Sequence, residues 1–283
     1  MSSRGLFVRR AVVVVEGMPL WRRLVAELYG TFVLVGVGCG AIIGSVFLTG
    51  QMVGGNLLVN GVALEVGPDA ARGMIPGVAA GGSFESKIIT IALAFGLALA
   101  VAYFTVGRLS GGHFNPAVSL GMFLDRRVSL TDMVGYWIAQ LAGAFLAMVA
   151  FWWVLGDRDS VGVAATTPNR EAVDEFGGFV GETVFAMVLV LAYLVLTREG
   201  KPNAFGLGMS YSAIIFVGFA FTGGAANPAR TLAPGVIGDV YDGLWFYLVG
   251  PLVGAVLAWL IYKTLVEGDT DLSDDVEALR DSV

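Results

Sequence analysis

Residues 111–117 read Gly-Gly-His-Phe-Asn-Pro-Ala, and residues 223–229 read Gly-Gly-Ala-Ala-Asn-Pro-Ala. Two glycines, two variable residues and Asn-Pro-Ala thus recur 112 positions on. Proline at a first helical position lacks only an N–H that no carbonyl would have accepted, and its fixed φ starts a helix well. Asparagine before it is a favoured N-cap, because its side-chain oxygen accepts from the first free N–H groups. Its amide nitrogen then stays available as a donor. Each motif therefore opens a helix. The apolar stretches 113–124 and 225–237 around them are about half as long as the ~20 residues a bilayer-crossing helix needs. Hydropathy alone would also allow surface loops. The repeated motif favours re-entrant half-helices, since irregular backbone at membrane depth is tolerated where it lines a cavity or is buried in protein.

Outward from the motifs lie six longer apolar spans, about 24–49, 86–107, 131–155, 177–197, 204–222 and 243–265. Trp21, Tyr136, Trp137, Trp245 and Tyr262 stand near span ends, where an interfacial belt is expected. The composition agrees: 56% of residues are hydrophobic and 14% charged, against about 25% charged in soluble domains. With mean hydropathy +0.77, the chain reads as one buried largely in lipid. One cysteine excludes a disulfide framework, and no Cys/His cluster suggests a metal or cofactor. No basic patch points to nucleic acid. No nucleophile–base pair points to an enzyme.

The formal charge of −6 belongs to the tail: from Glu267 onward seven acids stand with one base, Arg280. The chain therefore divides into an N-terminal cytoplasmic extension (1–20), a membrane body (21–266, with halves 21–155 and 177–266) and an acidic, disordered cytoplasmic tail (267–283). Met18 is an alternative start to Met1. With the N-terminus inside, the inner flanks hold eleven bases and the outer loops four, beside ten acids. Cytoplasmic loops are the Lys/Arg-rich ones, so both termini are expected inside a cell membrane.

The halves also match at their heads. Ala26-Glu27 opens a helix that reaches Phe32-Val33-Leu34, and Gly181-Glu182 opens one that reaches Met187-Val188-Leu189. Three spans per half place the second upside down relative to the first, and sites in such inverted repeats lie near the midplane, where broken helices meet. The two half-helices would meet N-terminus to N-terminus, each end carrying roughly +0.5 elementary charge. Such a junction repels cations and offers two amide donors to a small neutral solute.

Over roughly residues 20–265 the chain resembles the aquaporins of the major intrinsic protein family, on the strength of two Asn-Pro-Ala motifs, their preceding glycines and Arg230 directly after the second. The resemblance implies an all-α membrane fold of six transmembrane helices and two re-entrant half-helices in an inverted repeat. It implies a homotetramer in the lipid bilayer with a pore in each protomer. Asn115-Pro116-Ala117 and Asn227-Pro228-Ala229 would form the central motifs. Counting from them gives a selectivity ring of Phe95, Ile215, Gly224 and Arg230. Carbonyls of Gly111, Gly112 and His113, and of Gly223, Gly224 and Ala225, would form an acceptor ladder. Glu27 and Glu182, the only acids inside spans, would be acceptors supporting the re-entrant loops, with a proton relay as the other reading.

Strict water channels of the family carry a histidine at the second ring position. Glycerol facilitators usually pair Trp and Phe with a glycine at that second position, and carry Asp after the arginine. Phe95 and Thr231 look water-type, whereas Ile215 and Gly224 make a wider, less polar ring, similar to some archaeal members. The expected permeant is water, with protons and ions excluded, and with glycerol or small neutral gases as minor permeants; the alternative is a glycerol facilitator. A coupled transporter would need titratable pairs at the midplane, and the sequence has two isolated glutamates. His113, the only histidine, adds a pH-sensing alternative to its backbone role. Gly36, Gly40 and Gly44, and Gly250 with Gly254, form small-residue stripes expected to pack helices closely. Cys39 on the first stripe is read as small and buried. The glycine-rich stretch 50–85 is a long first outer loop.

Overall fold

The computed structural model describes residues 18–49, 51–53, 56–59, 62–64, 84–198 and 203–267. The expected N-terminal extension before residue 18, the tail beyond 267 and most of the first outer loop lie outside them. The long helices are α1 (Leu20–Thr49), α2 (Phe84–Ala102, continued by a π turn and a last turn to Ser110), α4 (Leu130–Leu155), α6 (Glu175–Leu196) and α9 (Leu244–Ile261, continued by a π turn to Glu267). Between them come the half-helices α3 (Pro116–Leu124) and α8 (Pro228–Ile237), a short outer turn α5 (Asp159–Gly162), and α7 (Ala204–Gly218). Among the described residues, five helical spans are long and apolar enough to cross a membrane.

The sixth expected span is shorter than its hydropathy suggested. The spacing predicts helix over 204–222, but α7 is a 15-residue helix ending at Gly218. At 1.5 Å per residue it covers about 22 Å of a core roughly 30 Å thick. The chain turns there because the N–H groups of Phe221, Thr222 and Gly223 bond back to or near the Gly218 carbonyl, bringing the second motif into the body; Phe221, Thr222 and Gly223 all donate to Gly218 O at 2.9–3.0 Å. The all-α frame carries one small addition: β1 (Gln51–Val53), β2 (Asn56–Val59) and β3 (Val62–Leu64) form an antiparallel meander in the first outer loop.

Helix starts follow local chemistry. Ser129 and Asp132 make a reciprocal capping box at α4, Asp174 accepts from Gly177 N at 2.7 Å at α6, and Asn203 accepts from Gly206 N at 2.7 Å at α7. At the outer end, Asp157 accepts from the Ser160 hydroxyl and N–H, and these bonds hold its carboxyl below the ordinary value. Arg170 pairs there with Asp242 and Glu175.

Within the first half α1 packs on α4 and α2; within the second α6 packs on α9 and α7; α2 against α7 joins the halves. The half-helices cross over, α3 lying against α9 and α6, and α8 against α4. The closest crossings lie at glycines. A Cβ on Gly208 would stand 2.4 Å from Gly96 O, one on Gly143 2.2 Å from Leu28 O, and one on Gly254 2.3 Å from Thr183 O. The Gly250–Gly254 stripe therefore packs as expected. The first stripe does not: among the described residues Gly36 has ordinary room, Gly44 has nothing within 4 Å, and Gly40 meets only the ring tip of Phe151. On that pair of helices the small residue sits across the interface, at Gly143, so α1 supplies backbone instead. We expect Gly208→Ala to lower stability by roughly 1–3 kcal/mol, because rigid backbone faces the new methyl; thermal unfolding in detergent reads the shift, and an unchanged midpoint would count against this crossing.

The aromatic belt is also narrower than the sequence suggested. Trp21 and Trp245 are exposed, but Tyr136 and Tyr262 are buried. Trp137 donates to Pro116 O at 2.9 Å, Tyr136 to Ser110 O at 2.7 Å, and Tyr262 accepts from Arg127. Their polar ends reach carbonyl or guanidinium partners inside the protein rather than headgroups. Cys39 is fully buried.

Candidate functional site

The two motif loops have the same backbone. Gly111, Gly112 and Phe114 have φ of 97°, 63° and 51°, and Gly223, Gly224 and Ala226 have 85°, 58° and 47°. Glycine takes the left-handed region freely, but Phe114 and Ala226 do not. Both are pinned at each end. The Phe114 N–H donates to Glu27 Oε2 at 2.7 Å, and its carbonyl accepts from Asn227 Nδ2 at 3.0 Å. The Ala226 N–H donates to Glu182 Oε2 at 2.7 Å, and its carbonyl accepts from Asn115 Nδ2 at 2.8 Å.

Each glutamate is fully buried at the eighth position of its helix, about two turns in. Glu27 accepts from Ser110 Oγ (2.6 Å), His113 N (2.9 Å) and Gln140 Nε2 (2.8 Å) besides Phe114 N. Glu182 accepts from Thr222 Oγ1 (2.6 Å) and Ala225 N (3.1 Å) besides Ala226 N. Tyr136 and Tyr247 complete the cradles by donating to Ser110 O and Thr222 O at 2.7 and 2.6 Å. Buried donors left unpaired would cost about 1–3 kcal/mol each, so these carboxylates hold loop geometry that the chain would not otherwise keep.

The asparagines meet at the loop junction. Asn115 Oδ1 accepts from Ala117 N at 2.8 Å, and Asn227 Oδ1 accepts from Ala229 N at 3.0 Å and Arg230 N at 3.3 Å. Each oxygen caps its own half-helix, and each amide gives one hydrogen to the opposite loop. A primary amide carries two hydrogens, so one remains on each side chain. A small cavity, with room for about one water, lies beside the pair. His113, Tyr193 and Tyr211 also line it, with Leu34, Leu99 and Leu189.

Of the expected ring, Arg230 and Phe95 stand together: the guanidinium lies over the ring, 5.0 Å from its centroid. Gly224, in the second motif loop, packs against α7, where a Cβ would meet Ile214 O at 2.9 Å and Ile215 Cα at 3.1 Å. Arg230 is 2% exposed, its Nη1 donates to Ala164 O at 2.9 Å, and its Nε has no partner among the described residues. A buried cation with a spare donor is costly at membrane depth, which makes Arg230 a candidate functional residue. Thr231 beside it meets Thr166 Oγ1 at 3.0 Å. His113, on the other side of the junction, places Nδ1 3.0 Å from Ser119 Oγ and its ring edge-on to Tyr136.

The expected carbonyl ladder is only partly free. Tyr193 Oη donates to Gly112 O at 3.0 Å, and Tyr211 Oη donates to Ala225 O at 2.8 Å. A carbonyl has two lone pairs, so these oxygens keep one for another donor. The N–H groups of Gly111 and Gly223 bond within their own turns, to Gly107 O and Gly218 O. Sequence reasoning missed Tyr193, Tyr211, Tyr136, Tyr247 and Gln140. A signal existed for the first: Leu189 and Tyr193 stand seven and eleven residues after Glu182, on one helical face. Tyr136 and Tyr247 stand at nearly equal distances behind the two motifs.

Comparison with known proteins accords with this geometry. The family model described as "Major intrinsic protein" matches residues 15–262. The chain is 33% identical to aquaporin AqpM of Methanothermobacter thermautotrophicus, over 88% of this chain and 98% of that one. It is 36% identical to glycerol uptake facilitator protein-like 6 of Lactiplantibacillus plantarum, over 62% of this chain and 83% of that one. The fold is similar to the X-ray structure of the aquaglyceroporin from Plasmodium falciparum, with a TM-score of 0.69 and 25% identity, covering 90% of this chain and all of that one.

Proposed function

The chain belongs to the major intrinsic protein family, and from that premise we propose how it works as a passive, multi-pass membrane channel for water. The observation that carries the mechanism is the pair of asparagines, each with one amide hydrogen committed to the opposite loop and one left for the pore. A water at the junction accepts from both amides, so its own hydrogens point away along the pore. That orientation interrupts a proton relay. The two half-helix N-termini, each worth roughly +0.5 elementary charge, repel cations at the same point. This is the mechanism general to aquaporin pores, in which lining donors and dipoles set selectivity.

Arg230, Phe95, Ile215 and Gly224 form the outer ring, where the arginine's spare donors meet solute and its charge adds to the cation barrier. The remaining lone pairs of the loop carbonyls, including Gly112 and Ala225, take hydrogens from passing water. Glu27 and Glu182 support the loops rather than relay protons, since each carboxylate is surrounded by donors from its own half. The channel body spans 21–266, works as a homotetramer in the cell membrane, has both termini cytoplasmic, and catalyses no reaction. Glycerol and other small neutral solutes are minor permeants. The facilitator reading is second: the unpolar Ile215 favours it, as do the names of two similar proteins.

Stopped-flow light scattering on proteoliposomes separates the two readings. A sucrose gradient should shrink them far faster than empty vesicles, and a glycerol gradient should be followed by slow re-swelling. Shrinkage at the empty-vesicle rate would remove the water-channel reading; re-swelling as fast as the water phase would make glycerol the main permeant.

A further inference from the structure

We propose that Arg158, an exposed residue just beyond the outer end of α4, is a positioning residue for the cation barrier: it anchors the segment 158–166 along the half-helix α8 and so fixes where the Arg230 guanidinium stands. The proposal rests on the channel reading and on the role of Arg230 within it. It starts from the last turn of α8. A helix leaves its final four carbonyls without partners inside the helix. The Gly238 N–H donates to Pro234 O at 2.9 Å, and the Val240 N–H to Gly235 O at 2.8 Å. The other two are met from a distant part of the chain: Arg158 Nε donates to Ile237 O at 2.7 Å, and its Nη2 to Val236 O at 3.4 Å. A cation suits this end of a helix, which carries partial negative charge. The guanidinium also lies over the Trp152 ring, 5.8 Å from its centroid. Neighbouring Asp157 accepts within its own turn, from Asp159 N and from Ser160 N and Oγ.

From that anchor the chain runs back along α8 toward its first turn. The Gly162 backbone packs on Gly238, where a Cβ would stand 2.2 Å from Gly162 Cα. Two residues on, Ala164 O accepts from Arg230 Nη1 at 2.9 Å. Among the described residues this is the guanidinium's only hydrogen bond, so its orientation follows the position of one carbonyl. The segment thus meets α8 at Ile237 and at Arg230, about 10 Å apart along the helix. Between these points it is stiff. The N–H of Gly162 donates to Arg158 O, that of Val163 to Asp159 O and that of Ala165 to Gly162 O, at 2.9, 3.2 and 2.9 Å. A displacement at Arg158 is therefore carried to Ala164 O. Val161 is buried beneath the segment and keeps it on the body, so loss of the anchor shifts the carbonyl without freeing it.

The test measures proton leak and water flux of full-length variants in proteoliposomes, with a trapped pH dye under a potassium diffusion potential and with light scattering. Arg158→Ala should raise proton leak by about threefold or more, short of the rise in Arg230→Val, while water flux stays within about twofold. Arg158→Lys keeps the charge and one donor and should restore much of the barrier. The double variant Arg158→Ala/Arg230→Val should leak no more than Arg230→Val alone, because two residues that act through one group are not additive. A further rise in the double variant would overturn the proposal, since Arg158 would then act independently of Arg230. So would wild-type leak in Arg158→Ala with a lowered thermal midpoint, the result that a merely structural helix cap gives. Arg170→Ala removes another arginine of the outer face, paired with Asp242 and Glu175, and should leave the leak at the wild-type level. A comparable leak there would show that any loosening of the outer face suffices, and would also overturn it. Should Arg158→Ala not assemble, Arg158→Met, which keeps the stem over Trp152, carries the same comparisons. An Arg230→Val protein as tight as wild type would remove the barrier from Arg230 and this proposal with it. Absence of water flux in the wild type would instead remove the channel reading itself.

Discussion

Glu182→Ala is expected to leave no assembled channel. The substitution strands three buried donors at once: Thr222 Oγ1, Ala225 N and Ala226 N. At about 1–3 kcal/mol each, the loss is roughly 3–9 kcal/mol, set against a typical total stability of about 5–15. Ala226 also loses the bond that holds it at φ 47°, and with it the carbonyl position that Asn115 needs. Glu182→Gln should be intermediate. It keeps one acceptor oxygen but turns an amide N–H toward a backbone N–H, so yield and thermal midpoint should fall without complete loss. Size-exclusion chromatography and thermal unfolding in detergent read both variants. Glu182→Ala recovered as a monodisperse protein with wild-type water flux would mean that the loop stands without its carboxylate. A proton-relay role would show differently, as a folded Glu182→Gln protein altered only in pH-driven flux.

Arg230→Val should have the largest effect on selectivity. A unit charge about 4 Å from a passing cation contributes about 4 kcal/mol at an effective dielectric of 20, a factor of roughly a thousand in rate. The half-helix ends remain in the variant, so only part of the barrier goes. We expect proton and sodium leak to rise by at least about tenfold, with water flux little changed. A trapped pH dye under an imposed potassium diffusion potential measures the leak. Leak at the wild-type level would place the whole cation barrier at the Asn115–Asn227 junction.

Reading the chain alone went furthest where the determinants are local. Asn115 and Asn227 are recognisable because capping and proline preference act over three residues, and they do cap α3 and α8. The long spans follow from hydropathy. The end of α7 at Gly218 did not, because residues 219–222 are as apolar as the helix, and the turn is made by hydrogen bonds back to the Gly218 region. Tyr136 and Tyr262 misled for a related reason: an aromatic near a span end can point its polar tip at lipid headgroups or inward, and composition does not distinguish the two. Gly36 and Gly44 show the same limit for packing, since a glycine stripe records that a helix could be approached closely, not from which side.

What the sequence determined by itself was therefore the frame: a membrane chain of two opposed halves, each opening a half-helix at Asn-Pro-Ala, with Arg230 next to the second. These depend on apolar length and on contacts within a few residues. Only the tertiary structure decided what surrounds the junction. Glu27 reaches Phe114 across 87 positions, Asn115 reaches Ala226 across 111, and Tyr193 reaches Gly112 across 81. Such pairings depend on the depth and rotation of whole helices relative to one another, set by glycine crossings such as Gly96–Gly208 and Gly254–Thr183. One residue of helical phase would turn each tyrosine from the junction cavity toward its neighbours, and no local pattern fixes that angle.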